Sequence, residues 1–134
     1  MTTTMSSNAQ TVQLRREGAV LVITIDRPPV RNAIDRATSE ALAHAMDELD
    51  ADPTLVIGVL TGAGGEFCSG ADLTDGGARS AGKHALASMR TISEICLTLQ
   101  RMPQPTIAKV RGVAVGAGCN MALVCDLVVA SENA

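Results

Sequence analysis

The chain has 134 residues, enough for one domain with its own hydrophobic core. Apolar residues make up 46% and aromatics only 1%, the single Phe67, so the core is built from Ala, Val, Leu, Ile and Met. A net charge of −3, with Arg and Lys scattered along the chain, excludes the basic face of a nucleic-acid binder.

Met1 to Gln10 is rich in Thr, Ser and Asn and lacks the basic start and apolar stretch of a signal peptide. It reads as a disordered leader over 1–10, ahead of a domain over 11–134. Strands are predicted over 12–16 and 19–26, joined at Glu17-Gly18 as a hairpin. Arg27-Pro28-Pro29 stops the second strand, because proline has no N–H to give a ladder. Asp35 is the predicted N-cap of a helix to about Asp50, whose Leu42, Ala45, Met46 and Leu49 share one stripe. After Asp52-Pro53, residues 55–60 form a continuous apolar run, the pattern of a strand buried on both faces.

A glycine-rich loop from Gly62 and a flexible patch, Asp75-Gly76-Gly77, lead to a second helix over about 83–101. Ala85, Met89, Ile92, Cys96 and Leu99 recur at helical spacing there. Met102-Pro103-Gln104-Pro105 ends it. A strand over 106–110, a glycine turn, a short helix near 117–124 and a strand over 126–130 follow. Residues 113–130 are mostly apolar, but they contain Asn120, Asp126 and two glycines and read as buried soluble structure, not a membrane span. Strand–helix alternation predicts an α/β fold. The periodicity leaves open a doubly wound sheet or a stacked ββα spiral.

Several motif readings fail on their own terms. Gly62-x-Gly64 and Gly116-x-Gly118 lack the third glycine of a dinucleotide fingerprint, with Phe67 and Met121 in its place. Ser69 has Phe67 and Ala71 where a nucleophile elbow needs glycines. Cys68, Cys96, Cys119 and Cys125 form no CxxC pair, and His44 and His84 lie far from them, so no metal site is expected. Reduced thiols in a cytoplasmic protein are the simpler reading.

Three segments together resemble the crotonase (enoyl-CoA hydratase/isomerase) family. They are Ile25-Asp26-Arg27-Pro28-Pro29-Val30-Arg31-Asn32-Ala33-Ile34, Phe67-Cys68-Ser69-Gly70-Ala71-Asp72-Leu73, and the stretch from Val113 to Asp126. The resemblance implies a crotonase-like (ClpP/crotonase) ββα spiral, truncated after its N-terminal half. It implies coenzyme A contacts at Val30, Arg31, Ala33, Ser69, Gly70, Ala71, Asp72, Leu73, Val115, Gly116 and Ala117. It also implies an oxyanion hole made by the backbone N–H groups of Ala71 and Ala117. Ala117 opens the predicted short helix, where orphan N–H donors meet the positive end of the macrodipole. Arg27, Arg31 and Lys83 are candidates for pairing with the coenzyme A phosphates.

Asn120 stands where typical hydratases carry a glutamate, and the family's second catalytic glutamate would fall beyond residue 134. An amide takes up no proton at neutral pH. The expected protein therefore acts on or binds acyl-CoA or enoyl-CoA thioesters and is inactive alone; the alternative is a non-catalytic acyl-CoA-binding or scaffold fragment. No separate cofactor is expected, because coenzyme A is part of the substrate. The expected partners are further copies of the chain or a complementary C-terminal half.

Overall fold

The computed structural model describes residues 2–5, 10–74 and 83–134. The patch Asp75-Gly76-Gly77 and the Lys83 and His84 side chains lie outside the described part of the chain. The elements in order are β1 (Thr2–Met5), β2 (Val12–Glu17), β3 (Val20–Ile25), α1 (Arg36–Ala51), β4 (Ile57–Gly62), α2 (Lys83–Arg101), β5 (Thr106–Val110), α3 (Ala117–Val124) and β6 (Leu127–Ala130).

Among the described residues the strands form one six-stranded sheet in the spatial order β1-β2-β3-β4-β5-β6. β1, β2 and β3 pair antiparallel, and β3 to β6 pair parallel. The parallel strands therefore advance one place at a time in one direction. With right-handed crossovers, that progression puts every connecting helix on the same face. The contacts of α1 with α2 and of α2 with α3 fit a single helical layer. A doubly wound sheet reverses direction at a switch point, and this one does not. The open choice in the sequence reading is thus settled for a spiral.

Local chemistry explains the elements. The Asp35 carboxylate caps α1, accepting from the Thr38 N–H at 2.8 Å and the Thr38 hydroxyl at 2.6 Å. Such a cap contributes about 1 kcal/mol. Leu42, Ala45, Met46 and Leu49 face the sheet and join Leu21, Ile23, Ile25 and Leu60 in the core. At Gly58 a Cβ would lie 2.6 Å from Leu49 Cδ2, so the missing side chain lets α1 sit directly on β4.

Two expectations shift. The predicted strand over 55–60 begins at Ile57 and runs to Gly62. Leu55 N–H closes the helix exit onto the Asp52 carbonyl, and Val56 N–H reaches the Ala19 carbonyl, so the chain enters register only at Ile57 opposite Val20. Its burial alternates at first, with Ile57 and Val59 half-buried, and both faces are buried only from Leu60 to Gly62. The second shift lies in the 1–10 leader, expected to be disordered. Residues 2–5 instead form β1 along β2, Thr2 opposite Glu17 and Met5 opposite Leu14. β2 offers an open edge there, and threonine suits a pleated strand.

Candidate functional site

The three segments that carry the family resemblance meet at the C-terminal ends of β3, β4 and β5, the end where open α/β sheets bind ligands. The middle segment, 67–72, lies between the other two. On one side Ser69 N–H donates to the Arg31 carbonyl at 3.0 Å, Ile34 N–H to Gly70 at 2.8 Å, and Asp72 N–H to Ile34 at 2.8 Å. On the other, the Val113 carbonyl accepts from Phe67 and Cys68, and Val115 N–H donates to the Cys68 carbonyl at 3.1 Å. Phe67 and Cys68 are fully buried and anchor the middle segment to the core.

The first segment owes its shape to Asn32. A 3-10 turn over Pro28–Val30 ends in two successive left-handed residues, Arg31 and Asn32, with φ of 51° and 58°. Asn32 is fully buried, and its amide is saturated. Its oxygen accepts from Arg27 N–H at 2.8 Å, while Nδ2 donates to the carbonyls of Ala63 at 2.9 Å and Glu66 at 2.7 Å. The side chain thus ties the first segment to the glycine-rich loop.

The two anion-hole candidates sit on adjacent segments, Ala71 in a bridge and Ala117 in a turn. Gly118 N–H donates to the Val115 carbonyl at 3.0 Å, and Gly116 has φ 56° and ψ −123°. These are the marks of a type II′ turn, whose first central position favours glycine. The N–H of Ala117 belongs to the central peptide of that turn and also opens α3. Ala71 pairs with Ile34 in a parallel bridge through the groups of Gly70 and Asp72, which leaves its own N–H out of the ladder. Among the described residues, neither the Ala71 nor the Ala117 N–H meets a protein acceptor. Gly70, at φ 103°, holds the turns together: a Cβ there would lie 3.0 Å from the Val115 oxygen and 3.6 Å from the Ala117 nitrogen.

Residues 15–134 match the family described as Enoyl-CoA hydratase/isomerase. The chain belongs to this family. The 2,3-dehydroadipyl-CoA hydratase of Escherichia coli strain K12 is 38% identical over 120 residues, which cover 89% of this chain and 46% of the relative. The 1,2-epoxyphenylacetyl-CoA isomerase of the same organism is 34% identical over 121 residues, covering 88% and 46%. The crystal structure of enoyl-CoA hydratase from Bacillus anthracis superposes with a TM-score of 0.89 at 28% identity, covering 93% of this chain and 49% of that one. This enoyl-CoA hydratase/isomerase-family chain has the crotonase fold and spans about half the length of these relatives.

The other sequence-predicted residues divide by environment. Val30, Arg31, Leu73 and Val115 are exposed around the two turns, as are Ala71 and Gly116. Ser69 is half-buried and its hydroxyl donates to the Val30 carbonyl at 3.1 Å. Ala33 is buried. Asn120 is exposed on the first turn of α3, three residues after Ala117. Arg27, a candidate for phosphate pairing, is instead committed within the fold. It pairs with Asp72 at 3.1 Å and Asp35 at 3.3 Å and donates to the Ala33 carbonyl at 2.6 Å. Asp72 also accepts from the hydroxyl and N–H of Thr74, and these bonds, led by the hydroxyl, hold its carboxyl below the usual value.

The sequence reading passed over Asn32 and Glu66 as site residues. A buried asparagine in a left-handed turn has a recognisable signal, since Asn tolerates that conformation better than most residues. Glu66 has no such signal: its role depends on the third segment folding back across it.

Proposed function

We propose that this chain binds an acyl-CoA or enoyl-CoA thioester and holds the thioester oxygen between the N–H groups of Ala71 and Ala117. The observation that carries the reading is the pair of unpartnered N–H donors on neighbouring segments, with Gly70 leaving room beside them. A thioester oxygen gains negative charge as an enolate forms. Fixed dipoles aimed at that charge stabilise the transition state by about 2.7–4 kcal/mol per donor. Coenzyme A is then part of the ligand, with no separate cofactor.

Asn120 narrows the chemistry. An amide can orient water or a substrate group but takes up no proton, and general acid–base groups usually contribute about 10²–10⁴-fold each. On this reading residues 1–134 supply the anion hole and the coenzyme A turns, and the acid–base carboxylates come from elsewhere in the assembled protein. The 134-residue chain alone is then a binder without hydratase turnover. The exposed apolar strand β6 favours assembly with further copies or with a complementary half. The free thiols of all four cysteines are compatible with a cytoplasmic setting. Among the described residues no helix is long and apolar enough to cross a membrane.

Calorimetric titration with acetoacetyl-CoA, a β-keto thioester that enolises readily, and with coenzyme A alone tests this. Tighter binding of the thioester is expected, without measurable hydration of a short enoyl-CoA. Equal affinities would refute the anion hole, and rapid hydration would refute the assignment of acid–base chemistry to other residues.

A further inference from the structure

We propose that Glu66 is a positioning residue of this anion hole, latching the third segment so that the Ala117 N–H keeps its aim. The proposal rests on the anion-hole reading above, but its geometry is independent of any ligand. Glu66 touches both neighbouring segments. Its carbonyl accepts from Asn32 Nδ2 at 2.7 Å, and its carboxylate Oε2 accepts the N–H of Val113.

Gly112, just before Val113, is shaped around the same carboxylate. A Cβ at 112 would overlap Glu66 Oε2 and the Gly65 carbonyl, so the glycine leaves the space that the carboxylate fills. Val113 in turn receives the N–H groups of Phe67 and Cys68 on its carbonyl. Its peptide groups are therefore held on both sides by the 66–68 segment. From Val113 the chain has two residues to Val115, whose N–H and carbonyl fix the turn carrying Ala117. A charge-assisted hydrogen bond at Val113 therefore sets the entry point of that turn, and a displaced turn misdirects the donor.

The contact is specific in its chemistry. Alanine at 66 removes the acceptor, glutamine keeps an acceptor oxygen at the same reach, and aspartate ends one methylene short. Hydrogen–deuterium exchange across 112–118 in the 134-residue chain reads the latch without ligand, and titration with acetoacetyl-CoA and with coenzyme A reads its effect on the hole.

Glu66→Ala should speed exchange across 112–118 and weaken acetoacetyl-CoA binding about tenfold while leaving coenzyme A within about twofold. Glu66→Gln should restore both readouts to near wild type. If Glu66→Ala does not fold by circular dichroism, Glu66→Asp takes its place with the same expected directions. Unchanged exchange overturns the proposal, as does equal weakening of both ligands or a glutamine variant as poor as alanine. A wild-type chain without preference for acetoacetyl-CoA refutes the anion hole itself. The latch is then decided by exchange alone: faster in alanine and restored in glutamine upholds it, and no change overturns it.

Discussion

Gly70 stands directly against Ala117: a Cβ at position 70 would come within 3.6 Å of the Ala117 amide nitrogen and 3.0 Å of the Val115 carbonyl oxygen. The same glycine precedes Ala71, the other proposed donor, so one position without a side chain separates the two N–H groups. At φ 103° its backbone also occupies a region that L side chains rarely adopt.

Gly70→Ala is therefore expected to lower affinity for acetoacetyl-CoA by about tenfold or more, with coenzyme A affected less, because the methyl group enters the space beside both donors. Paired titrations check this. An alanine variant that binds acetoacetyl-CoA like wild type would show that the oxygen sits elsewhere.

Asn32→Ala is expected to destabilise the fold by about 2–4 kcal/mol, since it leaves two carbonyls and one N–H without their partner in a buried turn. The left-handed backbone at φ 58° adds strain for alanine. Urea unfolding measures the loss, and a change below 0.5 kcal/mol, about the scatter of a surface substitution, would count against the staple.

The Asp72 carboxyl is held below its ordinary value of 3.8, first by the Thr74 hydroxyl and N–H and then by Arg27. A carboxyl lowered in the fold favours the folded chain above its unfolded value, and that advantage fades as the pH falls through the folded value. Asp72→Asn should accordingly cost stability at pH 7, by about 1 kcal/mol, with the gap to wild type closing below 3.8. Unfolding curves at pH 7 and pH 3 decide it: a gap that stays constant excludes the carboxylate as its source.

Burial pushes the Cys68 thiol up to about 11, although the Gly70 N–H donates to its sulfur at 3.4 Å. The reactive thiolate is therefore scarce at pH 8. Iodoacetamide at that pH should label Cys119, which is only partly buried, well before Cys68 and Cys125. Mass spectrometry of the digest gives the order, and early modification of Cys68 would mean that the central segment opens readily.

β6 leaves Leu127 and Val129 at 60% and 61% exposure along an apolar edge. Such edges recruit other strands. Sedimentation of the chain should show association, reduced in Leu127→Lys/Val129→Lys; a sharp wild-type monomer would contradict this.

Much of the scaffold was legible in the sequence. The helical stripe of Leu42, Met46 and Leu49, the Asp35 cap and the prolines at 103 and 105 each report local physics, and α1, α2 and α3 fall where those signals place them. The strand edges were harder to read. Leu55 and Val56 look like strand residues, but the Leu55 N–H is drawn into the turn after α1 and the Val56 N–H goes to the Ala19 carbonyl ahead of β3, a competition that apolar pattern alone does not register. The proposed donors Ala71 and Ala117 come from the family resemblance, because an alanine N–H has no sequence signature of its own. Arg27 shows the opposite problem. Its charge suggested a phosphate partner, whereas Asp35 and Asp72 reach it only once the first two segments are zipped together.

The one-step progression of β3, β4, β5 and β6 has a consequence for how such a site tolerates change. The segments bearing Ala71 and Ala117 leave neighbouring strands, so their separation is gauged by the interstrand repeat of about 4.8 Å, a constant of the peptide backbone. The strand spacing itself depends on backbone alone, while side chains such as Glu66 and Asn32 fix the loops that leave it. Core residues can drift while the ruler stays fixed, whereas a slip of one residue between β4 and β5 would move one proposed donor past the other and erase the proposed site at a stroke.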